Sequence, residues 1–301
     1  MMINGKNNAT VVSDPTEQYQ TLIQSSYSIF DLNLREVYEY RDLILLLVRK
    51  DFIAKYKQTI LGPLWAIIQP LLTTIVFTIV FGNLANLTTA DSEGIYKIPG
   101  FAFYMVGNIC WGYFSGTVHD VSNTFLANRN VLGKVYYPRL VTPIATTLSG
   151  LISFAIQFVF ASAICLYLSI WGNTDIQLTA YILLLPLCVL QMMLLSMGCG
   201  IIVSAVTTKY RDLAMLVSFG LQLWQYSSPV AYGLQLIPQN IRFIYMLNPV
   251  APILTTFRYA MFGFGYFNLT EWLISWLTTI LVALIGLILY NKIARTFIDT
   301  I

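Results

Sequence analysis

The sequence predicts an all-α polytopic membrane protein. Six transmembrane helices are expected, with an N-terminal interfacial amphipathic helix and two short re-entrant helices between spans five and six. Three observations carry this reading. Of the 301 residues, 57% are apolar and only 10% charged, whereas soluble domains carry roughly a quarter charged residues. Six stretches, 58–90, 98–119, 140–174, 176–208, 213–241 and 272–291, contain no Asp, Glu, Lys or Arg. Each is long enough for a helical crossing of about 20 residues. Of the 17 basic residues, finally, all but three fall on one side of a six-span topology.

The same composition excludes other classes. The formal net charge of +3 is too weak to suggest a nucleic-acid partner. The apolar excess excludes a disordered chain, and size with composition excludes a disulfide-stapled secreted domain.

Residues 1–30 are polar and mixed, with Asp14, Pro15, Thr16 and Glu17 and no apolar h-region. They read as a loosely ordered cytoplasmic tail rather than a signal peptide. Structure is expected to begin at Asp31 as N-cap, with an interfacial helix over 31–58. Leu45, Val48, Phe52 and Tyr56 follow 3-4-4 spacing, while Arg49, Lys50, Lys55 and Lys57 supply cationic heads. Such a helix either lies in the headgroup layer with its basic side chains snorkelling to phosphate or docks on the protein's own surface. The run Leu43–Val48 is apolar on every face.

Residues 59–301 form the transmembrane domain, with spans near 61–83, 101–121, 140–170, 178–206, 213–232 and 272–292. Pro63, Pro70 and Pro143 sit near helix starts or bends, where neighbouring helices satisfy the freed carbonyls. With both termini in the cytoplasm, only Lys97, Arg242 and Arg258 of the 17 basic residues lie outside, as the positive-inside rule requires. Residues 233–265 are apolar but broken by Pro238, Arg242, Pro249, Pro252 and Arg258, which suits two helices dipping back into the outer leaflet.

Catalytic chemistry is thin. His119, the single histidine, stands beside Asp120 and reads as an interfacial pair. Cys110, Cys165, Cys188 and Cys199 are scattered through apolar helices without metal or disulfide spacing. There is no phosphate-cradling G-x-x-x-x-G-K-[ST] loop, and no metal or cofactor is expected in this chain. Any uphill transport must draw its energy from another chain. Gly112-x-x-x-Gly116 could let two helices approach closely.

The connection Ser122–Arg139 carries Phe125, Leu126, Val131 and Leu132 among polar residues, with Arg129, Lys134 and Arg139 as a basic rim. A short helix there suits the groove of a soluble partner; an ordinary positive-inside loop is the plainer reading.

Several segments resemble one family. LGPLWAIIQPL (Leu61–Leu71) with VFG (Val80–Gly82), NRNVLGKVYYPR (Asn128–Arg139), SPVAY (Ser228–Tyr232) and LNPVAPILTTFRYAMFG (Leu247–Gly263) are similar, in order, to the membrane subunit of ABC-2 type polysaccharide exporters. Those are the permeases for O-antigen, capsule and teichoic acid of the bacterial inner membrane. The resemblance implies a coupling helix around Phe125–Tyr137, with Phe125, Leu126, Arg129, Val131, Leu132, Lys134 and Tyr136 facing an ATPase subunit. It implies that Arg49, Lys50, Lys55 and Lys57 stand at the cytoplasmic mouth near a lipid pyrophosphate. It also makes Pro238, Pro249, Pro252 and Arg258 part of an outer gate. Two copies of this chain would flank an undecaprenyl-linked polysaccharide, with two ATPase chains binding ATP and Mg below.

Sugar C–H faces stack on aromatic rings, so Tyr104, Trp111, Tyr113, Phe114, Trp224 and Tyr226 are candidates for a glycan path; interfacial aromatic belts are the competing account. A permease for a smaller lipid or drug, and a membrane-embedded transferase, are the alternative functions. The second lacks the cluster of carboxylates, histidines or metal ligands it would need.

Overall fold

A computed structural model describes residues 34–85, 98–124, 137–171, 174, 176, 179–207, 213–234, 237, 238, 241, 242, 245 and 247–296. Regular structure among them is entirely helical. In chain order the helices are α1 (Leu34–Glu39), α2 (Arg41–Tyr56), α3 (Gly62–Leu84), α4 (Gly100–Ser122), α5 (Val141–Trp171), α6 (Leu184–Thr207), α7 (Leu213–Ser227), α8 (Val250–Phe262) and α9 (Leu269–Thr296).

Four segments are long and apolar enough to cross a bilayer: Gly62–Leu84, Val141–Trp171, Ala180–Thr207 and Leu269–Tyr290. Two of the six expected crossings differ from these. Helix α4 has 23 residues, but Asn108, Ser115, Thr117, His119 and Asp120 dilute its apolar character. Helix α7 has 15 residues, about 22 Å at ~1.5 Å per residue, and stops short of the expected 232 because the chain turns at Ser228–Val230.

Helix α4 is the axis of the bundle. It packs against α3, α5 and α6 and is buried from Ala102 to Trp111 without interruption. The α6–α9 contact is the other close one. A Cβ on Gly198 would come within 2.9 Å of Ala283 Cα, and one on Gly286 within 2.9 Å of Gly198 O, so backbones meet where side chains are absent. Gly112 and Gly116, the expected close-approach pair, have nothing within 4 Å of a Cβ position and make no such contact within the protomer.

Helix α3 opens on a tight 3-10 turn, Gly62–Leu64, with Pro63 in the turn, where its missing N–H costs nothing. It closes in a π-helical stretch, Thr78–Leu84. Only Ala66 and Thr74 of α3 are buried, and Leu64, Trp65, Leu72, Ile75, Val76, Ile79 and Val80 stay exposed.

The expected single helix over 31–58 is broken at Tyr40, and α2 is docked on the protein. Val37, Ile44 and Val48 form one small core with Val121, Tyr137, Leu140, Val141, Ala145 and Tyr290. The Tyr56 hydroxyl lies 3.1 Å from Ser153 Oγ of α5. Leu45, the first of the four residues at 3-4-4 spacing, is exposed. Helix α5 has 31 residues, about 46 Å long and well beyond a hydrocarbon core of ~30 Å. Its extra length provides the wall for α2. This end of the bundle, with α2 and Arg139, is the basic end.

The opposite, capped end is closed by α8, the one described helix of the expected re-entrant pair. Much of 235–246 lies outside the described residues. Pro249 is the N-cap, Asn248 Oδ1 just before it accepts the first helical N–H, that of Val250, at 3.1 Å, and Gly263 closes the helix with φ +82°. The helix is buried on nearly every face against α4, α6 and α9.

Candidate functional site

Side-chain hydrogen bonds join several helices at the capped end. Gln191 of α6 donates to Ser275 Oγ at 2.8 Å and to Thr279 Oγ1 at 3.4 Å, and its carbonyl accepts Trp272 Nε1 at 2.9 Å. Ser275 Oγ in turn donates to Pro249 O at 2.7 Å. A buried amide is thus satisfied, and α6, α9 and the start of α8 are joined by it. Asn248 is a second hub. It accepts Trp224 Nε1 at 3.0 Å and donates to Ser228 Oγ at 2.9 Å. Arg258 is only 5% exposed. It donates to Pro229 O and Val230 O at 2.5 and 2.7 Å and stacks on the Phe103 ring at 3.7 Å.

At the rim of that end, Arg242 Nε lies 3.6 Å from Glu271 Oε1, and its guanidinium covers the Tyr266 ring at 4.3 Å. Tyr266 donates to the same carboxylate at 2.5 Å. Burial, then this hydrogen bond to Glu271, pushes the Tyr266 phenol above its usual range. Pro249 and Pro252 flank and open α8, and Pro238 is exposed in the preceding connection. The four expected gate residues therefore belong to one end of the bundle. Gln191 and Asn248 were not foreseen. The signal was there: a lone amide in an apolar span, and an Asn before Pro at a helix start.

At the basic end, Arg49, Lys50, Lys55 and Lys57 are exposed on or just after α2, with Lys50 Nζ 3.3 Å from Asp51 Oδ1. His119 Nδ1 is 3.3 Å from Asp120 Oδ1, both exposed. Phe125, Leu126, Arg129, Val131, Leu132, Lys134 and Tyr136 lie outside the described residues. The flanks of that connection are anchored. Tyr137 is buried in the α2 core, its phenol pushed up by burial, and Tyr290 donates to Arg139 O at 2.5 Å.

Residues 42–262 match the ABC-2 type transporter family. The chain belongs to that family. Among its relatives, an "O-antigen export system permease protein RfbA" of Klebsiella pneumoniae is 26% identical over 259 residues, covering 86% of this chain and 94% of the relative. A protein of the same name from Myxococcus xanthus is 28% identical over 228 residues, covering 75% and 82%.

Within this ABC-2 chain the six aromatic candidates divide. Tyr104, Trp111, Tyr113 and Phe114 are buried in the core. Trp111 and Phe114 meet at 5.4 Å and hold Trp224 at 6.2 and 5.2 Å, and Tyr113 donates to Thr147 O at 3.4 Å. Their rings face other helices of the same protomer. Trp224 is half-buried, and Tyr226 is 54% exposed. Among the described residues, no group of His, Cys, Asp and Glu is placed to hold a metal.

Proposed function

We propose that this ABC-2 chain is the membrane-spanning subunit of an exporter for a lipid-linked, O-antigen-like polysaccharide, driven by a separate ATPase. The observation that carries this reading is the alignment of relatives named as O-antigen export permeases over 75% to 86% of the chain. Six crossings with both termini in the cytoplasm make the basic end cytoplasmic and the capped end periplasmic, in agreement with the distribution of Lys and Arg.

The core of one protomer is filled by the side chains of α4 and its neighbours, so a glycan needs a route outside it. A second copy of the chain facing the exposed sides of α3 and α7 supplies that route, with Tyr226 and Trp224 along it. Arg49, Lys50, Lys55 and Lys57 would receive the lipid pyrophosphate at its entrance as charge-assisted donors. The Phe125–Tyr136 connection would take the stroke of the ATPase and pass it to α4, α5 and α9 through its anchored flanks.

Deleting the gene in its host tests the reading. Surface polysaccharide should disappear while the lipid-linked chain accumulates in the cytoplasmic leaflet. Normal surface display in the deletion strain refutes it.

A further inference from the structure

Helix α3 carries an exact tandem repeat. Thr74–Phe77 and Thr78–Phe81 both read TIVF, so positions about one helical turn apart hold the same residue. The first copy is α-helical, and the second opens the π-helical stretch Thr78–Leu84. There the Ala85 N–H reaches back five residues to Val80 O at 2.9 Å. Such π geometry is rare and gathers at functional sites.

The face of α3 toward α4 is the i+4 row Thr74, Thr78 and Gly82. Thr74 Oγ1 accepts Asn108 Nδ2 at 3.4 Å, and a Cβ on Gly82 would lie 3.5 Å from Tyr104 Cε2. Thr74, Tyr104 and Asn108 are all buried, so this seam lies inside one protomer whatever covers its outer surface. Its polar groups are incompletely satisfied. Asn108 Oδ1 and the Tyr104 hydroxyl have no hydrogen-bond partner, a condition uncommon for buried groups. Thr78 Oγ1 bonds back to Thr74 O of its own helix at 2.8 Å.

Most helices cannot slide past a neighbour without exchanging every contact for a different one. For α3 a slide of four residues, about 6 Å, toward the basic end replaces like with like. Thr78 arrives opposite Asn108, and Phe81 takes the place of Phe77 beside the Tyr104 ring. Thr74 moves on to Gly112, where α4 has no side chain. Ile75, Val76, Ile79 and Val80 are all exposed, so lipid or a second copy packed on them also meets the same residues after the slide. Ridges packed into grooves give such a motion discrete stopping places.

We propose that α3 has two registers against α4: the observed one, and one reached by a one-turn slide toward the basic end, in which Thr78–Phe81 take the places of Thr74–Phe77. That ATP hydrolysis on a partner drives the slide rests on the proposed function; the two registers do not.

Spin-label distances on the full-length chain in lipid nanodiscs test it, with native cysteines replaced by alanine and labelled chains diluted in unlabelled ones. Leu72→Cys on α3 is paired with Trp171→Cys at the capped end of α5, or with Ile288→Cys near the basic end of α9; all three positions are exposed. Each distribution should hold a minor peak displaced by up to about 6 Å, longer toward Trp171 and shorter toward Ile288. Opposite signs distinguish a slide from a rotation.

Thr74→Val removes the partner of Asn108 in the observed register and should raise the minor population about threefold, the worth of one membrane hydrogen bond. Thr78→Val removes the partner in the second register and should lower it by the same factor, with the thermal midpoint near wild type. Thr78→Ser keeps the hydroxyl and should match wild type. A single peak in wild type and Thr74→Val alike overturns the proposal, as do Thr74→Val and Thr78→Val moving the populations in the same direction. If these variants shift the populations but the ATPase subunit with ATP does not, the export reading is contradicted and the two registers stand.

Discussion

Helices α4 and α7 touch one another and are held in opposite ways. Helix α4 is buried along most of its length, with Phe114, Tyr104 and Ala102 fully enclosed. Helix α7 presents Met215, Leu216, Phe219 and Leu223 outward and is bound through the few residues near Ser228. In water the exposed face of α7 would be a fault. In a bilayer lipid is as good an apolar solvent as Leu, so helix association depends on close packing and hydrogen bonds rather than on hiding apolar area. The contrast separates a helix packed on nearly every side from one that the protomer holds through few contacts.

Truncation should expose this contrast most strongly. Phe114→Ala leaves a cavity between Trp111 and Trp224 and should cost on the order of 2 kcal/mol, the cavity contribution alone. Phe219→Ala, of identical chemistry, should shift stability by less than about 0.5 kcal/mol. Reversible unfolding in mixed micelles measures both, and equal losses would erase the distinction.

Next in size is Gln191→Leu, which leaves Ser275, Thr279 and Trp272 without their shared partner. Membrane hydrogen bonds average ~0.6 kcal/mol each, so a loss of about 1 to 2 kcal/mol is expected in the same assay. Tyr290→Phe removes the bond to Arg139 O and should cost about 1 kcal/mol. Its sharper readout is faster proteolysis within 122–139, since one flank of that connection is released. Smallest is Met215→Ala, expected to leave stability unchanged within ~0.3 kcal/mol. A loss above 1 kcal/mol in the isolated chain would show that the Leu213–Gly220 half is packed after all.

Much of this was legible in the chain. The ends of α3, α4 and α5 lie within a residue or so of the expected 61–83, 101–121 and 140–170. The grouping of Pro238, Pro249, Pro252 and Arg258 at one end also follows from their clustering between spans. The end of α7 was misplaced because 213–241 is uncharged throughout. What ends the helix is the turn before Val230, which Arg258 holds from 28 residues away. The packing of the aromatics was hidden for a related reason. Tyr104, Trp111, Tyr113 and Phe114 stand in a helix apolar enough to face lipid, partner or core, and composition cannot choose among the three.

Sequence alone decided the class, the helical segments and their polarity, because the cost of a charge or an unpaired peptide group in hydrocarbon falls on each residue wherever its neighbours are. Tertiary structure decided which face of each apolar helix meets protein: α2 turning Ile44 and Val48 inward, α6 and α9 meeting at Gly198 and Gly286, α8 capping the bundle around Arg258. Those choices depend on the shape and hydrogen bonding of residues distant in the chain, and on apolar surfaces all alike to lipid only packing discriminates.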